Sequence, residues 1–133
     1  MKEITSLKNF INKNGELDSF KTGELILSKS NECDYLYLII KGEARLIFKN
    51  LNKRSTFKKI GPGDFIGLVS LCIGINCEEV RSSSELSTIK INKNVFFEFL
   101  QKDDKFQKFL EANLFEQEIL HIIEGLLSRV PNN

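Results

Sequence analysis

Residues 16 to 91 alternate apolar and polar positions in short runs that turn residues interrupt. The clearest runs lie on either side of Lys41-Gly42: Leu36, Leu38, Ile40 and Ala44, Leu46, Phe48. Side chains two apart share one face of a strand, so these runs predict half-buried antiparallel strands. About eight such strands, with turns about every eight to twelve residues, predict a double-sheet jelly roll.

Helical spacing precedes the β region. Four apolar residues repeat at helical intervals: Ile4, Leu7, Phe10 and Ile11. They predict a short amphipathic helix over residues 3–12, closed by Asn14-Gly15.

Helical spacing returns over residues 93–101 and 103–130. Asn92 and either Asp103 or Asp104 have the side chains that cap helix N-termini, and the last helix is long. We predict a mainly β fold with flanking helices, as one domain over residues 1–133. Its parts are a helix at 3–12, a β-roll at 16–91 and C-terminal helices at 93–130.

Composition fits one globular domain. The chain has 133 residues, 41% of them hydrophobic and 28% charged. A domain of this length buries about two-thirds of its unfolded surface. The net charge of +1, from 19 basic and 18 acidic residues, argues against a dedicated nucleic-acid or membrane surface. We therefore expect neither as a partner.

A basic cluster flanks the predicted hairpin at Asn50-Leu51-Asn52: Lys49, Lys53, Arg54, Lys58 and Lys59. Charged residues at such a position commonly keep an exposed sheet edge soluble. We interpret the cluster in that way.

Cys33, Cys72 and Cys77 are odd in number and lack the spacing of paired metal ligands. No signal peptide or apolar run of about 18 residues is present, so we expect reduced thiols and a cytoplasmic location.

No catalytic constellation emerges. A metal enzyme on a jelly roll needs several histidines, and the chain has only His121, in the last predicted helix. Cys72 and Cys77 lack a nearby base, and Glu78-Glu79 point to opposite faces of a strand. We expect a non-enzymatic protein without metal or cofactor.

The segment Gly61-Pro62-Gly63-Asp64 predicts a sharp turn, because proline presets one φ and glycine permits positive φ. Residues 66–71 are short and apolar with Gly67 inside, which predicts a single helical turn. The first N–H groups of a helix have no intrahelical partner and attract anions.

These residues resemble the phosphate-binding cassette of the cyclic-nucleotide-binding domain family. Residues 20–26, Phe-Lys-Thr-Gly-Glu-Leu-Ile, are similar to its Phe-x-x-Gly-Glu hairpin. Residues 36–46 resemble its central strand pair, and residues 91–96 resemble its strand-to-helix junction. The resemblance covers about residues 16 to 130 and implies a β-roll with a sensory or regulatory role.

The departures fall on the charged ligand contacts. In the family a Glu binds the ribose 2′-hydroxyl and an Arg binds the cyclic phosphate; here Leu68 replaces the Glu. Counting back from Val80 places Asn76 at the Arg position, whereas counting forward from Gly67 places Cys77 there. Arg81 is nearby, but strand alternation turns it away from the phosphate side.

This degenerate cassette predicts that cyclic AMP and cyclic GMP do not bind in the usual way. A small anionic or nucleotide ligand, bound weakly, remains open. The candidate ligand-binding residues are Gly67, Leu68, Val69, Ser70, Asn76 and Cys77.

The last predicted helix has a wide apolar stripe, whose seam is Phe115, Ile119, Ile122, Leu126 and Val130. Part of it covers the β-roll, and the remainder predicts a homodimer or a contact with an effector domain. The alternative is that the whole stripe is intramolecular core.

We therefore expect a non-enzymatic sensory or regulatory module. One alternative is a ligand-free scaffold that presents its last helix to a partner. Another is the regulatory domain of a larger exporter or peptidase.

Overall fold

The computed structural model describes residues 2–28, 32–50, 53–73 and 79–109. Its elements follow the chain in this order: α1 Lys2–Asn14, β1 Glu16–Phe20, β2 Leu25–Leu27, β3 Tyr35–Lys41, β4 Ala44–Asn50, β5 Lys53–Ile60, β6 Phe65–Ile66, α2 Leu68–Ile73, β7 Glu79–Ser82, β8 Leu86–Asn92, α3 Lys93–Lys102 and α4 Asp104–Phe109. None of the helices in these ranges has the length and apolar character that a membrane span requires.

The eight strands of the described ranges form two antiparallel sheets. Sheet 1 has the order β1-β8-β3-β6 and sheet 2 the order β2-β7-β4-β5. Strands adjacent in sequence are mostly split between the sheets, which is the arrangement of a jelly roll. The predicted mainly β fold with flanking helices is confirmed.

Sheet 1 has buried side chains on both faces. Leu36 pairs with Ile91 on one face, and Ile39 pairs with Thr88 on the other; all four side chains are buried. The helices contribute the buried Leu7, Ile11 and Phe96 to the same core. Sheet 1 is therefore the central layer, between the helices and sheet 2.

Gly15 marks the close packing of α1 on sheet 1. Its N–H donates to Ile11 O at 2.7 Å, and a Cβ at this position would collide with the Ile89 side chain. The glycine predicted to end the helix is therefore required by contact with β8. The helix itself extends to Asn14, two residues beyond the predicted end.

The strand alternation fails at Ile40, which is 44% exposed although it follows Leu36 and Leu38 by the two-residue rule. The β3–β8 register shifts between Ile39 and Lys41. A β-bulge adds one residue to a strand and thereby reverses which side chains face inward. Ile40 consequently leaves the face that the sequence pattern assigned to it.

Two buried hydroxyl groups hydrogen-bond to backbone groups of other segments, one in the hairpin at residues 20–24 and one in β1. Ser82 Oγ accepts from Glu24 N at 3.1 Å and donates to Lys21 O, while Ser82 N donates to Glu24 O at 3.0 Å. Thr88 Oγ1 donates to Asp18 O at 3.0 Å. These bonds satisfy polar groups whose burial without a hydrogen-bond partner would destabilise the fold.

The α3 helix begins as the sequence predicts. The side chain of Asn92 accepts from Asn94 N at 2.8 Å, in extended backbone geometry at the cap position. Lys93 N donates to Asp34 O at 2.8 Å, which attaches the start of α3 to the start of β3. The N-cap assignment is confirmed.

Candidate functional site

The cassette, residues 61–73, begins with a hydrogen-bonded turn. Asp64 N donates to Gly61 O at 2.9 Å, and Gly61 N donates to Asp64 Oδ2 at 2.8 Å. Gly63 has a φ of +90°. A proline followed by a residue with positive φ is the pattern of a type II turn, so the predicted chain reversal is confirmed.

The helical turn of the cassette begins later than predicted. Ile66 is paired with Tyr37 in sheet 1, and Gly67 has a φ of +92°, so helix α2 starts at Leu68. The N–H of Leu71 donates to Gly67 O at 3.0 Å. Strand pairing and a positive φ at Gly67 therefore displace the expected start by two residues.

Gly67 lies against the start of β3. A Cβ built on Gly67 would be 3.0 Å from Cys33 Sγ and 3.1 Å from Tyr35 O. The buried thiol of Cys33 donates to Tyr35 O at 3.4 Å. The cassette is thus held by close backbone packing, and no local sequence signal points to the contact with Cys33.

The side chains of the cassette helix that the structure describes point into the core. Leu68 is 5% exposed, Ser70 is 2% exposed and Leu71 is 6% exposed. Leu68, which the resemblance leads us to expect in place of the family's Glu, is therefore a buried core residue. Val69 lies in α2, and its side chain is outside the described set; Asn76 and Cys77 also lie outside the described residues.

Arg81 faces away from the interior of the roll. Its neighbours Val80 and Ser82 are buried, and its Nη1 donates to Gly23 O at 3.1 Å on the other face of β7. Alternation along β7 therefore separates this cation from the cassette side. The face that Arg81 occupies is the one that strand alternation predicts.

An aromatic cluster lies beside the cassette, formed by Phe20, Tyr35 and Tyr37. The rings of Phe20 and Tyr37 meet edge to face at 5.6 Å, and those of Tyr35 and Tyr37 are 6.2 Å apart. Lys90 Nζ lies 4.4 Å from the Tyr35 ring centroid and 3.4 Å from Asp18 Oδ2. Sequence reasoning missed this cluster because two strands that are not adjacent in the sheet order, β1 and β3, supply its rings.

Burial raises the pKa of Tyr37 to about 12, and the Asp18 carboxylate adds to this effect. The neutral phenol is the form that the cluster favours, because ionisation would place a charge in a poorly solvated site beside an existing negative charge.

The seam predicted for the last helix, Phe115, Ile119, Ile122, Leu126 and Val130, lies outside the described residues. The same holds for His121 and for the side chains of Cys72 and Cys77. Within the described residues, no group of three or more His, Cys, Asp and Glu side chains could hold a metal ion.

A comparison of the sequence with known protein families agrees with the fold described above. The cyclic nucleotide-binding domain model matches residues 17–103, and this chain belongs to that family. No curated protein is close enough in sequence to be counted as a relative.

Three solved structures show the same fold. The catabolite activator protein of Thermus thermophilus has a TM-score of 0.74 at 18% identity, covering 92% of this chain and 59% of that one. The regulatory subunit of a cAMP-independent protein kinase A from Trypanosoma brucei has a TM-score of 0.70 at 19% identity, covering 91% and 47%. The corresponding Trypanosoma cruzi subunit, bound to guanosine, has a TM-score of 0.64 at 20% identity, covering 84% and 41%. This chain spans less than two thirds of each.

We expect Gly67→Ala to lower the free energy of unfolding by roughly 2–3 kcal/mol, from positive φ and from crowding against Cys33 and Tyr35. Gly23→Ala is the matched control, because Gly23 has a φ of +83° but nothing within 4 Å of the added Cβ. It should cost about 1–2 kcal/mol. Urea unfolding measures both; equal losses would show that the contacts at Gly67 are unimportant.

We expect Tyr37 to reduce stability at alkaline pH. In the unfolded chain its phenol ionises near pH 10, whereas in the folded protein its pKa is about 12. The contribution of the protonated Tyr37 phenol to the free energy of unfolding is thus fully present below pH 10 and is lost as the pH rises through 12. The chain has two tyrosines and no tryptophan, so near-ultraviolet titration is readable. Tyr37→Phe should remove the late absorbance change and the associated loss of stability; an unchanged titration would refute the assignment.

Proposed function

We propose that this chain is a non-enzymatic sensory or regulatory module that does not bind cyclic AMP or cyclic GMP through the usual charged contacts. The observation that carries the proposal is the burial of Leu68, at 5% exposure, where the family has its ribose-binding Glu. A hydrogen bond to a charged group contributes roughly 1.5–3 kcal/mol, so losing both charged contacts removes several kcal/mol of ligand affinity.

Two structural neighbours support this proposal. The Trypanosoma brucei subunit belongs to a cAMP-independent protein kinase A, and the Trypanosoma cruzi subunit is bound to guanosine, a nucleoside that has no phosphate. A regulatory subunit of this fold can therefore hold a ligand that is not a cyclic nucleotide. For the present chain we infer a small nucleoside or nucleotide ligand without a cyclic phosphate.

The second candidate is a ligand-free scaffold that presents its last helix to a partner. Its support is that Leu68 and Leu71 fill the cassette region from within and belong to the main core. A cassette occupied by its own side chains can be retained for packing alone. Both proposals include the homodimer or linked effector domain that we expect from the apolar seam. Both also include a cytoplasmic location and are compatible with a place in a larger exporter or peptidase.

We expect titration calorimetry to detect no micromolar binding of cyclic AMP or cyclic GMP to the wild-type protein. The physical reason is that neither Leu68 nor the residue at the Arg position can offset the desolvation of a ribose hydroxyl and a phosphate. A micromolar dissociation constant, equivalent to about 8 kcal/mol of binding free energy, would refute the proposal.

We expect Leu68→Glu combined with Asn76→Arg to increase cyclic AMP affinity by roughly tenfold or more, through hydrogen bonds to charged groups. Each single change should gain much less. Leu68→Glu alone should also destabilise the domain, because it places an unpaired carboxylate at a buried position.

Leu68→Glu combined with Cys77→Arg is the control for the alternative alignment. Calorimetry measures affinity, and circular dichroism checks that each variant is folded. If both double variants fold and neither binds, the cassette backbone lacks the geometry that ligand capture needs.

A further inference from the structure

Three cations lie side by side on the outer face of sheet 2. Arg45 pairs with Arg81 on one neighbouring strand and with Lys59 on the other. Directly paired residues of antiparallel strands project from the same face, with Cβ atoms about 4.5–5.5 Å apart. These three side chains, which we call the basic row, are therefore long enough and close enough to contact one common group.

The basic row faces away from the core. Ala44 and Val80, which precede Arg45 and Arg81 in their strands, are buried in the core, whereas Lys59 is exposed. Alternation along a strand places neighbouring side chains on opposite faces. The described helices make their main contacts with sheet 1 and with one another. The outer face of sheet 2 is thus a surface on which a partner can lie.

Folding leaves the charge of the basic row without an anionic partner. The Nε of Arg45 is buried and has no hydrogen-bond partner within the described residues. Arg81 donates one bond, from Nη1 to Gly23 O, and no ion pair between described residues includes a member of the row. Like charges on directly paired residues are destabilising, and a buried donor without an acceptor costs free energy. An anion bound at the row would relieve both costs.

The nearest carboxylate by register is that of Glu79. It pairs with Ile47, one row along from the pair of Arg45 with Arg81. Glu79 has an interaction of its own, and no salt bridge joins it to either arginine. The basic row is therefore a set of adjacent cations that the described part of the chain does not neutralise by contact.

A phosphomonoester matches the basic row in charge and in acceptor atoms. It carries a charge of about −1.5 to −2 at neutral pH and three strong acceptor oxygens, whereas a carboxylate has one charge and two oxygens. The planar guanidinium groups of Arg45 and Arg81 can each donate two parallel hydrogen bonds to such a group. The ammonium of Lys59 adds the third cation.

The shape of the surface favours a phosphate that belongs to a protein. Sites for small molecules are concave, whereas the basic row lies on one face of a sheet. Leu25, which pairs with Arg81, is 38% exposed and extends the row with an apolar contact. A phosphorylated side chain with an apolar residue beside it in the same segment matches both parts of this surface.

We propose that the basic row is the docking site for a phosphorylated segment of a partner protein, with Arg45 as the central contact and Leu25 as the apolar edge. Arginine clusters recur in the recognition of phosphorylated peptides. The docking does not depend on a ligand in the cassette, because Leu68 belongs to the core on the other face of sheet 2. Phosphorylation of the partner then decides whether the two proteins associate.

The test is fluorescence anisotropy with three labelled peptides of otherwise identical neutral sequence, in which one position is phosphoserine, serine or glutamate and the next is leucine. We expect the wild-type protein to bind the phosphoserine peptide about tenfold more tightly than either of the others, the worth of one charge-assisted hydrogen bond. Backbone amide chemical shifts on titration should change most at Arg45, Lys59 and Arg81.

Arg45→Met should abolish the preference for phosphoserine, because it removes the central guanidinium. Lys59→Met should reduce the preference by a smaller factor, and it alters only an exposed side chain. Lys58→Met is the matched control, since Lys58 is adjacent to Lys59 and equal in charge but pairs with Leu46 on the inner face of sheet 2. It should keep the preference. Circular dichroism checks the fold, and if Arg45→Met is unfolded, the comparison of Lys59→Met with Lys58→Met decides.

Four results would overturn the inference. Equal affinity for the phosphoserine and serine peptides removes the role of phosphate, and equal affinity for the phosphoserine and glutamate peptides indicates an acidic partner instead. Equal losses in Lys59→Met and Lys58→Met indicate non-specific attraction to a basic surface. Displacement of the peptide by inorganic phosphate, at a concentration equal to the dissociation constant of the peptide, indicates a site for free phosphate.

Discussion

The antiparallel pairing of β3 with β8 is the constraint on which the rest of the fold depends. It joins Tyr35 to Asn92 at one end and Lys41 to Ser87 at the other, across a long stretch of sequence. Such non-local pairing costs loop-closure entropy before it yields contact energy. Apolar residues on both faces offset that cost, because the helices cover one face and sheet 2 covers the other. Sheet 1 can therefore position the cassette through β6.

Residues 61–73 combine a hydrogen-bonded turn and a short helix with leucine side chains that pack in the core. Burying a leucine such as Leu68 contributes roughly 1.5–3 kcal/mol, whereas an unpaired carboxylate at the same depth would be strongly unfavourable. Gly67 holds the backbone of this segment close to Cys33 and Tyr35, and this close approach leaves no room for a side chain at position 67. A closely packed backbone and buried apolar side chains therefore occur in the same segment.

Strand alternation distributes the cations of sheet 2 between two environments. Arg81, Arg45 and Lys59 share the outer face, where Arg81 hydrogen-bonds to the carbonyl of Gly23. Lys58 lies one residue from Lys59 but on the face that the core occupies. A difference of one position along a strand thus decides whether a lysine is a solubilising surface charge or a charge at the edge of the roll interior.

Local sequence patterns are sufficient to predict the mainly β architecture, the turn at Gly61-Pro62-Gly63-Asp64, the Asn92 cap and the outward position of Arg81. Each follows from local rules: the two-residue period of strands, the φ values that proline and glycine allow, and the hydrogen bond that an asparagine offers a helix start. The order and spacing of the glycines likewise indicated the resemblance to the family.

Four other features depend on contacts between distant segments: the exposure of Ile40, the start of α2, the contact of Cys33 with Gly67 and the face of sheet 2 on which Lys58 lies. A bulge reverses the faces of a strand after a single residue, and no local pattern reports where one occurs. The other three depend on which strands pair and in what register. Pairing is set by contacts between residues far apart in the chain, so information about it is not contained in any short segment of the sequence.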